Sequence, residues 1–194
     1  MTIAKARVPV HISVYFVGMA ALCLAAGPPL WRMGLALGFA ALHEAGHLLA
    51  MALCGARPSR ICLTAAGMRI ERPPALTLAF AQEIAIAFAG PAVSLLLAGV
   101  FALLARVIPL HSDLYLLNLG FGLFNLLPVR QLDGGRMLYF LLCRRFPERA
   151  ASRAVLASSL LCLFAAAAGA SFICLRQGVS LPLLVAVVYL TVCC

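Results

Sequence analysis

Long apolar stretches, cut at regular intervals by polar or helix-breaking residues, limit what this chain can fold into. They run over residues 10–26, 30–53, 76–105, 114–127, 154–175 and 179–194. Each is near the ~17–25 residues that a spanning helix needs, the third being long and the fourth short. Gly27-Pro28-Pro29, residues 55–74, 109–113 and 144–153, and Arg176-Gln177-Gly178 separate them. Of 194 residues 64% are hydrophobic and only 11% charged, where a soluble domain carries roughly 25% charged residues. The reading is an all-α polytopic membrane protein with about six transmembrane helices. One membrane-embedded domain fills residues 1–194, with a core at about 30–143 and accessory helices at 10–26, 154–175 and 179–194. The first stretch reads as a retained helix and not as a cleaved signal peptide, because no cleavage site stands out from its alanine-rich flank.

Fifteen basic residues against six acidic ones give a net charge of +9. In a soluble protein that excess would suggest nucleic acid; in a chain this apolar it sets orientation in the bilayer. With the N-terminus in the cytoplasm, Lys5, Arg7, Arg57, Arg60, Arg69, Arg72, Arg144, Arg145, Arg149 and Arg153 fall inside. Only Arg32, Arg106 and Arg176 fall outside. The expectation is a multi-pass protein of the cell membrane with both termini cytoplasmic. Arg130 and Arg136 belong to neither set and flank Asp133 at membrane depth. The eight cysteines form no CxxC pair and read as small buried hydrophobes.

The second apolar stretch contains His43-Glu44-Ala45-Gly46-His47. Histidines at i and i+4 share one helix face a turn apart, so both imidazoles can reach a single ion. The intervening glutamate points to the flank, where it can take a proton from a water that zinc acidifies. With four His and four Glu in the chain, a chance HExxH match is expected on the order of 0.002 times. Two histidines and a carboxylate inside a membrane helix carry an insertion cost that function normally justifies.

A third ligand is needed, and depth selects it. Asp133 lies about twenty residues along the fourth stretch from Asp113, at the depth of His47. Glu83 is a weaker competitor, Glu71 and Glu148 read as loop charges, and His11 and His111 as interfacial residues. One zinc ion per chain, held by His43, His47 and Asp133 and worked by Glu44, is therefore expected. Around Asp133, Pro128 and the pair Gly134-Gly135 interrupt the helix within an apolar region. Such irregular backbone needs cover from protein or a water-lined cavity. Its freed carbonyls near Pro128 and the Asn125 amide are candidate substrate contacts. Residues 60–72 admit two readings: a short rim β-hairpin turning at Gly67, whose edge could bind an unwound substrate, or an amphipathic loop lying on the headgroups.

Taken together these segments resemble the site-2 protease family of intramembrane zinc metalloproteases. His43 to His47 is similar to the family's HExxH helix, and residues 125–134 resemble its Asn-x-x-Pro…Asp-Gly motif, whose aspartate is the third zinc ligand. Residues 89–94 resemble the Gly-Pro turn of its third core helix. The likeness implies a three-helix catalytic core formed by the second, third and fourth stretches. The compact plan resembles the bacterial branch that processes a sporulation sigma factor. Gln131 departs from a frequent proline and Ser94 from a frequent asparagine, which bears on substrate fit and not on the metal. The implied substrate is a membrane-spanning or membrane-associated protein, cut near the cytoplasmic face in regulated proteolysis of a signalling or transcription-factor precursor. A regulatory membrane protein or a homo-oligomer are the further partners to expect, besides the lipid bilayer. No segment is left for a PDZ or CBS regulatory module. The competing readings are a metal-ion transporter, against which no inverted repeat is visible, and an idle scaffold, which would have lost one of the four site residues.

Overall fold

The computed structural model describes residues 10–12, 30–56, 59–64, 67–71 and 78–177. In chain order these form β1 (Val10–Ile12), α1 (Leu30–Leu53), β2 (Arg60–Thr64), β3 (Gly67–Glu71), α2 (Phe80–Leu104), α3 (Asp113–Asn125), α4 (Asp133–Cys143) and α5 (Glu148–Gln177). Among the described residues, Leu30–Leu53, Phe80–Leu104 and Glu148–Gly169 are the three stretches long and apolar enough to cross a membrane. Leu49, Leu96 and Leu161 present 62%, 69% and 69% of their surface outward, as side chains facing lipid tails do. This is a multi-pass membrane protein. Most of the first expected span and all of the sixth lie outside the described residues.

The helix α2 packs against α1, α3 and α4 and so occupies the middle of the bundle. Lipid tails are as apolar as leucine, so membrane helices associate through close packing, and small residues permit it. A Cβ on Gly46 of α1 would meet the Ala89 carbonyl at 2.8 Å, and one on Gly122 of α3 would meet the Leu95 side chain at 3.0 Å. The expected Gly-Pro turn does not form. Gly90 and Pro91 lie inside an unbroken α2, because Pro91 removes only the N–H that would bond the Ala87 carbonyl and the neighbouring helices hold the rest in line.

At its far end α1 stops on Gly55, whose φ of 70° suits glycine. The Ala56 N–H bonds the Met51 carbonyl at 2.9 Å and the Gly55 N–H the Ala52 carbonyl at 3.0 Å, a Schellman closure. Beyond it the rim hairpin is present: β2 and β3 pair antiparallel from Arg60↔Glu71 to Thr64↔Gly67. The loop-on-headgroups reading is thereby excluded, and Gly67 opens the second strand instead of forming the turn. The strand β1 adds in parallel, Val10↔Ile61 to Ile12↔Leu63. Residues 10–12 are thus strand and do not begin a helix, in keeping with two β-branched residues in three.

The fourth apolar stretch is not one span. Helix α3 has 13 residues, about 20 Å at 1.5 Å per residue and too short for a ~30 Å core. The chain then breaks over residues 126–132 and resumes as the 11-residue α4. The break is Pro128 and its neighbours, while Gly134 and Gly135 belong to the first turn of α4. A Cβ on Gly134 would run into the Leu126 and Leu127 carbonyls, and one on Gly135 into the Val129 carbonyl. The glycines let the loop fold back against the start of α4.

Helix α5 covers that loop. Val129 and Leu132 are buried and pack on Cys162, Leu163 and Ala166. Ser158 Oγ donates to the Pro128 carbonyl at 2.7 Å, and Ser159 Oγ accepts the Arg130 N–H at 2.9 Å. The helix starts six residues earlier than expected, since the Pro147 carbonyl accepts the Ala150 and Ala151 N–H groups and Glu148 suits the positive end of the helix. Cys54, Cys143 and Cys162 are free and half-buried, as expected of small apolar fillers.

Gly134→Ala should lower stability by roughly 1–3 kcal/mol through overpacking. Gly99→Ala, with nothing within 4 Å of the added carbon, should leave the melting temperature in detergent unchanged. Equal melting of the two variants would remove the argument for the folded-back loop.

Candidate metal centre

The pattern of α1 buries Phe39, His43, Gly46, His47 and Met51 on one face, and α2 lies against it. His43 and His47 are 2% and 5% exposed. The break in the fourth stretch delivers Asp133, at the start of α4, to the same place. His43 Nε2 and His47 Nε2 lie 3.2 Å apart, and each approaches Asp133 Oδ2, at 3.1 and 3.2 Å. Zinc bonds of ~2.0–2.1 Å at tetrahedral angles separate ligand atoms by about 3.3 Å. The triangle is close to that size.

The other ring nitrogens show what these atoms carry. His47 Nδ1 lies 2.7 Å from the Ile86 carbonyl, which can only accept, so Nδ1 holds the proton and Nε2 a lone pair. His43 Nδ1 faces Ser94 Oγ at 3.0 Å, a hydroxyl able to accept its proton. When both Nδ1 atoms carry the proton, two imidazole lone pairs and a carboxylate oxygen converge on one point. A proton can bridge one such pair but not all three, whereas a divalent cation satisfies the set. The donors fit zinc, with a fourth direction left open for water or substrate.

The space beside the rings is cut to size by Gly90, whose Cβ would collide with both imidazoles. Phe121 of α3 closes another side, edge-on to His43 with ring centroids 5.0 Å apart. Met51, Ala56 and Ile86 form a buried cluster at the hairpin end, which fixes the Ile86 carbonyl against His47. Glu44 sits on the flank of the buried face, half-exposed beside His43.

Among the described residues, His43, His47 and Asp133 are the one group of three such side chains able to hold a metal ion. Glu83 is buried on α2 but stands apart from that group. Asp113 instead pairs with Arg32 at 2.9 Å, and His111 packs on Trp31 with centroids 5.6 Å apart, at the opposite end from the hairpin. Asn125 Nδ2 donates to the Phe121 carbonyl at 3.0 Å, the Pro128 carbonyl is taken by Ser158, and Gly67 pairs with Thr64 in the hairpin. None of these three joins the metal-ligand group.

Ser94 was assigned by its sequence context to substrate fit, and the structure puts it on His43. The signal was its spacing. Ile86, Gly90 and Ser94 recur every fourth residue, a buried stripe of α2 running beneath the histidines. Ser94→Ala removes the partner of His43 Nδ1, and metal affinity in chelator competition should fall about 10–100-fold. Unchanged affinity would mean that Ser94 only fills space.

Comparison with known proteins agrees with this centre. Residues 105–166, which include α3, the break and Asp133, match the model of peptidase family M50. The stage IV sporulation protein FB of Bacillus subtilis is 31% identical over 123 residues, 61% of this chain and 43% of that protein. Zinc metalloprotease MJ0392 of Methanocaldococcus jannaschii is 32% identical over 114 residues, 54% of this chain and 32% of that protein. The matched part is thus less than half the length of these curated relatives. The solved structure of a site-2 protease from Methanocaldococcus jannaschii has the same fold, with a TM-score of 0.69 at 21% identity, over 99% of this chain and 91% of that one. Segment, relatives and fold concur: the chain is similar to members of peptidase family M50 in the segment that carries Asp133 and has the fold of a site-2 protease.

Proposed function

We propose that the protein is an intramembrane zinc metalloendopeptidase that hydrolyses peptide bonds of membrane-spanning or membrane-associated proteins near the cytoplasmic face. The observation that carries this reading is the convergence of three lone-pair donors at tetrahedral spacing on a helix that also bears Glu44. His43, His47 and Asp133 would hold the ion. Zinc in this place supplies Lewis acidity that polarises a peptide carbonyl and acidifies water. Glu44 takes the proton of the attacking water on its carboxylate and returns it to the departing amine nitrogen. The Ile86 carbonyl keeps His47 in the tautomer this requires, and Ser94 Oγ can accept the Nδ1 proton of His43 in the same tautomer. The names of the relatives do not favour the transporter reading.

A helical substrate must unwind before its backbone can be cut. In the sheet order β1-β2-β3, β2 is paired on both sides, which leaves the five-residue β3 as an edge for strand addition. Asn125 and Pro128 border the break that leads to Asp133, and we retain them with Gly67 as substrate contacts. A sporulation-type factor precursor is one substrate class that the relationship to the Bacillus protein suggests. Oligomers and regulatory membrane proteins remain partners to seek by co-purification.

Glu44→Gln should keep the fold and one zinc per chain but lose orders of magnitude in turnover, because an amide cannot accept the proton. His43→Ala and Asp133→Ala should lose the zinc itself. Cleavage of co-expressed tagged single-span proteins and metal analysis read the two effects separately. Near-normal cleavage by Glu44→Gln would sink the protease reading, and undiminished zinc in either alanine variant the ligand assignment.

Orientation is tested with single cysteines in a background lacking the native ones. Ser59 and Ser112 are exposed at opposite ends of the bundle. In intact cells a membrane-impermeant thiol reagent should label Ser112→Cys and spare Ser59→Cys. The reverse pattern would place the hairpin and both termini outside.

A further inference from the structure

Arg130 and Arg136 are absorbed by none of the chemistry above. They line a cavity of about 280 Å³ between the break, α4 and α5, together with Tyr139, Phe140, Ser152 and Val155. Among the described residues no ion pair joins Arg130 or Arg136 to a carboxylate; Asp133 is engaged with the histidines and Asp113 with Arg32. Residues 130–153 contain six arginines, with Asp133 and Glu148 as the only acidic groups, so the surrounding field is positive. The cavity is a little smaller than the ~300–1,000 Å³ of typical ligand sites, which suits a small anionic group.

A second observation indicates what carries that group. Ser152, Leu156, Leu160 and Phe164 recur every fourth residue on α5 and therefore form one stripe. Ser152 lies in the cavity wall, while Leu156, Leu160 and Phe164 are 39%, 53% and 73% exposed. The stripe thus runs from a basic, hydroxyl-bearing pocket along an outward apolar lane. A free anion would have no use for the lane. A phospholipid would place its phosphate on the arginines, with Tyr139 and Ser152 as further donors, and an acyl chain along the leucines.

We propose that the cleft between α4 and α5 is a binding site for the headgroup of an anionic phospholipid, such as phosphatidylglycerol. Basic pockets between membrane helices recognise headgroups in this way, and arginine suits phosphate because its planar fork donates two parallel hydrogen bonds. The site adjoins the metal centre through the backbone: Arg130 is in the break and Arg136 is one turn beyond Asp133. The proposal stands on the cavity and the stripe and does not depend on protease activity.

The test uses the full chain reconstituted in nanodiscs of phosphatidylcholine with about one-fifth phosphatidylglycerol, then counts retained lipids by native mass spectrometry. The native chain should retain one phosphatidylglycerol, and Arg130→Gln/Arg136→Gln should reduce that about 10- to 30-fold. Arg144→Gln/Arg145→Gln, an equal change of charge at the exposed turn before α5, should retain it. Ser152→Phe fills the cavity without changing charge and should also lose the lipid, which covers the case in which the arginine variant fails to fold. Zinc content reports folding in each sample. Equal retention by the native chain and the Ser152→Phe and Arg130→Gln/Arg136→Gln variants would overturn the site. Equal loss in the Arg144→Gln/Arg145→Gln variant would show a diffuse field in its place. Displacement by inorganic phosphate, with no preference between the two lipids, would overturn the lipid assignment.

Discussion

Three lone pairs pointed at one another inside a bundle of apolar helices are the constraint around which this protein is built. Ionisable groups at membrane depth cost about 2.5–3.5 kcal/mol each on insertion scales, and like-signed donor atoms 3.1–3.2 Å apart repel. A cation held there would turn that cost into cohesion. It would join α1 to α4, two elements separated by ninety residues of chain, whose His43 and Asp133 already lie in contact. Gly90 makes room for the rings, the Ile86 carbonyl sets the tautomer of His47, and Ser94 Oγ orients His43. Because all three lie on α2, that helix acts as the template on which the ligand helix is registered, and Gly46 against Ala89 lets it come close enough.

Bringing the third ligand to this depth requires a helix to stop inside the membrane, which exposes backbone groups that lipid cannot satisfy. The break answers this locally. The Leu127 carbonyl accepts the Val129 N–H at 2.7 Å and the Val129 carbonyl the Leu132 N–H at 2.9 Å. Ser158 and Ser159 of α5 serve the Pro128 carbonyl and the Arg130 N–H. Helix α5 contributes no ligand, yet without its two adjacent serines the loop leading to Asp133 would leave polar backbone unpaired. An accessory helix is in this sense part of the metal centre.

The legible parts of the sequence were those in which chemistry sits in a short local pattern. His43 and His47, with Glu44 between them, follow from i, i+4 geometry, and Asp133 from depth along an interrupted stretch, so the candidate ligand group is legible in the sequence. The hairpin was legible as one of two readings, from alternation over five residues. What escaped depended on partners distant in the chain. Ser94 looked like a substitution in a turn because nothing local reveals that it faces His43 across 51 positions. Residues 10–12 looked like the start of a helix because their partner strand begins fifty residues later. The expected turn at Gly90-Pro91 failed for a similar reason: proline disfavours a helix in isolation, but a membrane and three packed neighbours leave the chain nowhere else to go. Apolar composition also hid the division of the fourth stretch into two helices, since loop and helix there are equally hydrophobic.

Placement of the centre along the bundle also follows from these contacts. From His47 to the end of α1 at Leu53 is six residues, about 9 Å, whereas from Leu30 to His43 is thirteen, about 20 Å. The longer side is filled. Phe39 packs on Phe101 with centroids 5.7 Å apart, Phe121 lies edge-on to His43, and Trp31, Arg32, His111 and Asp113 tie the ends of α1 and α3 together. The shorter side opens toward the hairpin, the break and the arginine-rich turn between α4 and α5. The proposed hydrolysis would consume water, so a buried centre would need a route for it. The aromatic layer makes the long route costly, whereas Arg130 and Arg136 line a cavity beside the break on the short one. Depth, water supply and the edge of β3 therefore converge on a single end of the molecule. A substrate unwound at that end would meet the hairpin first and the metal about two helical turns deeper.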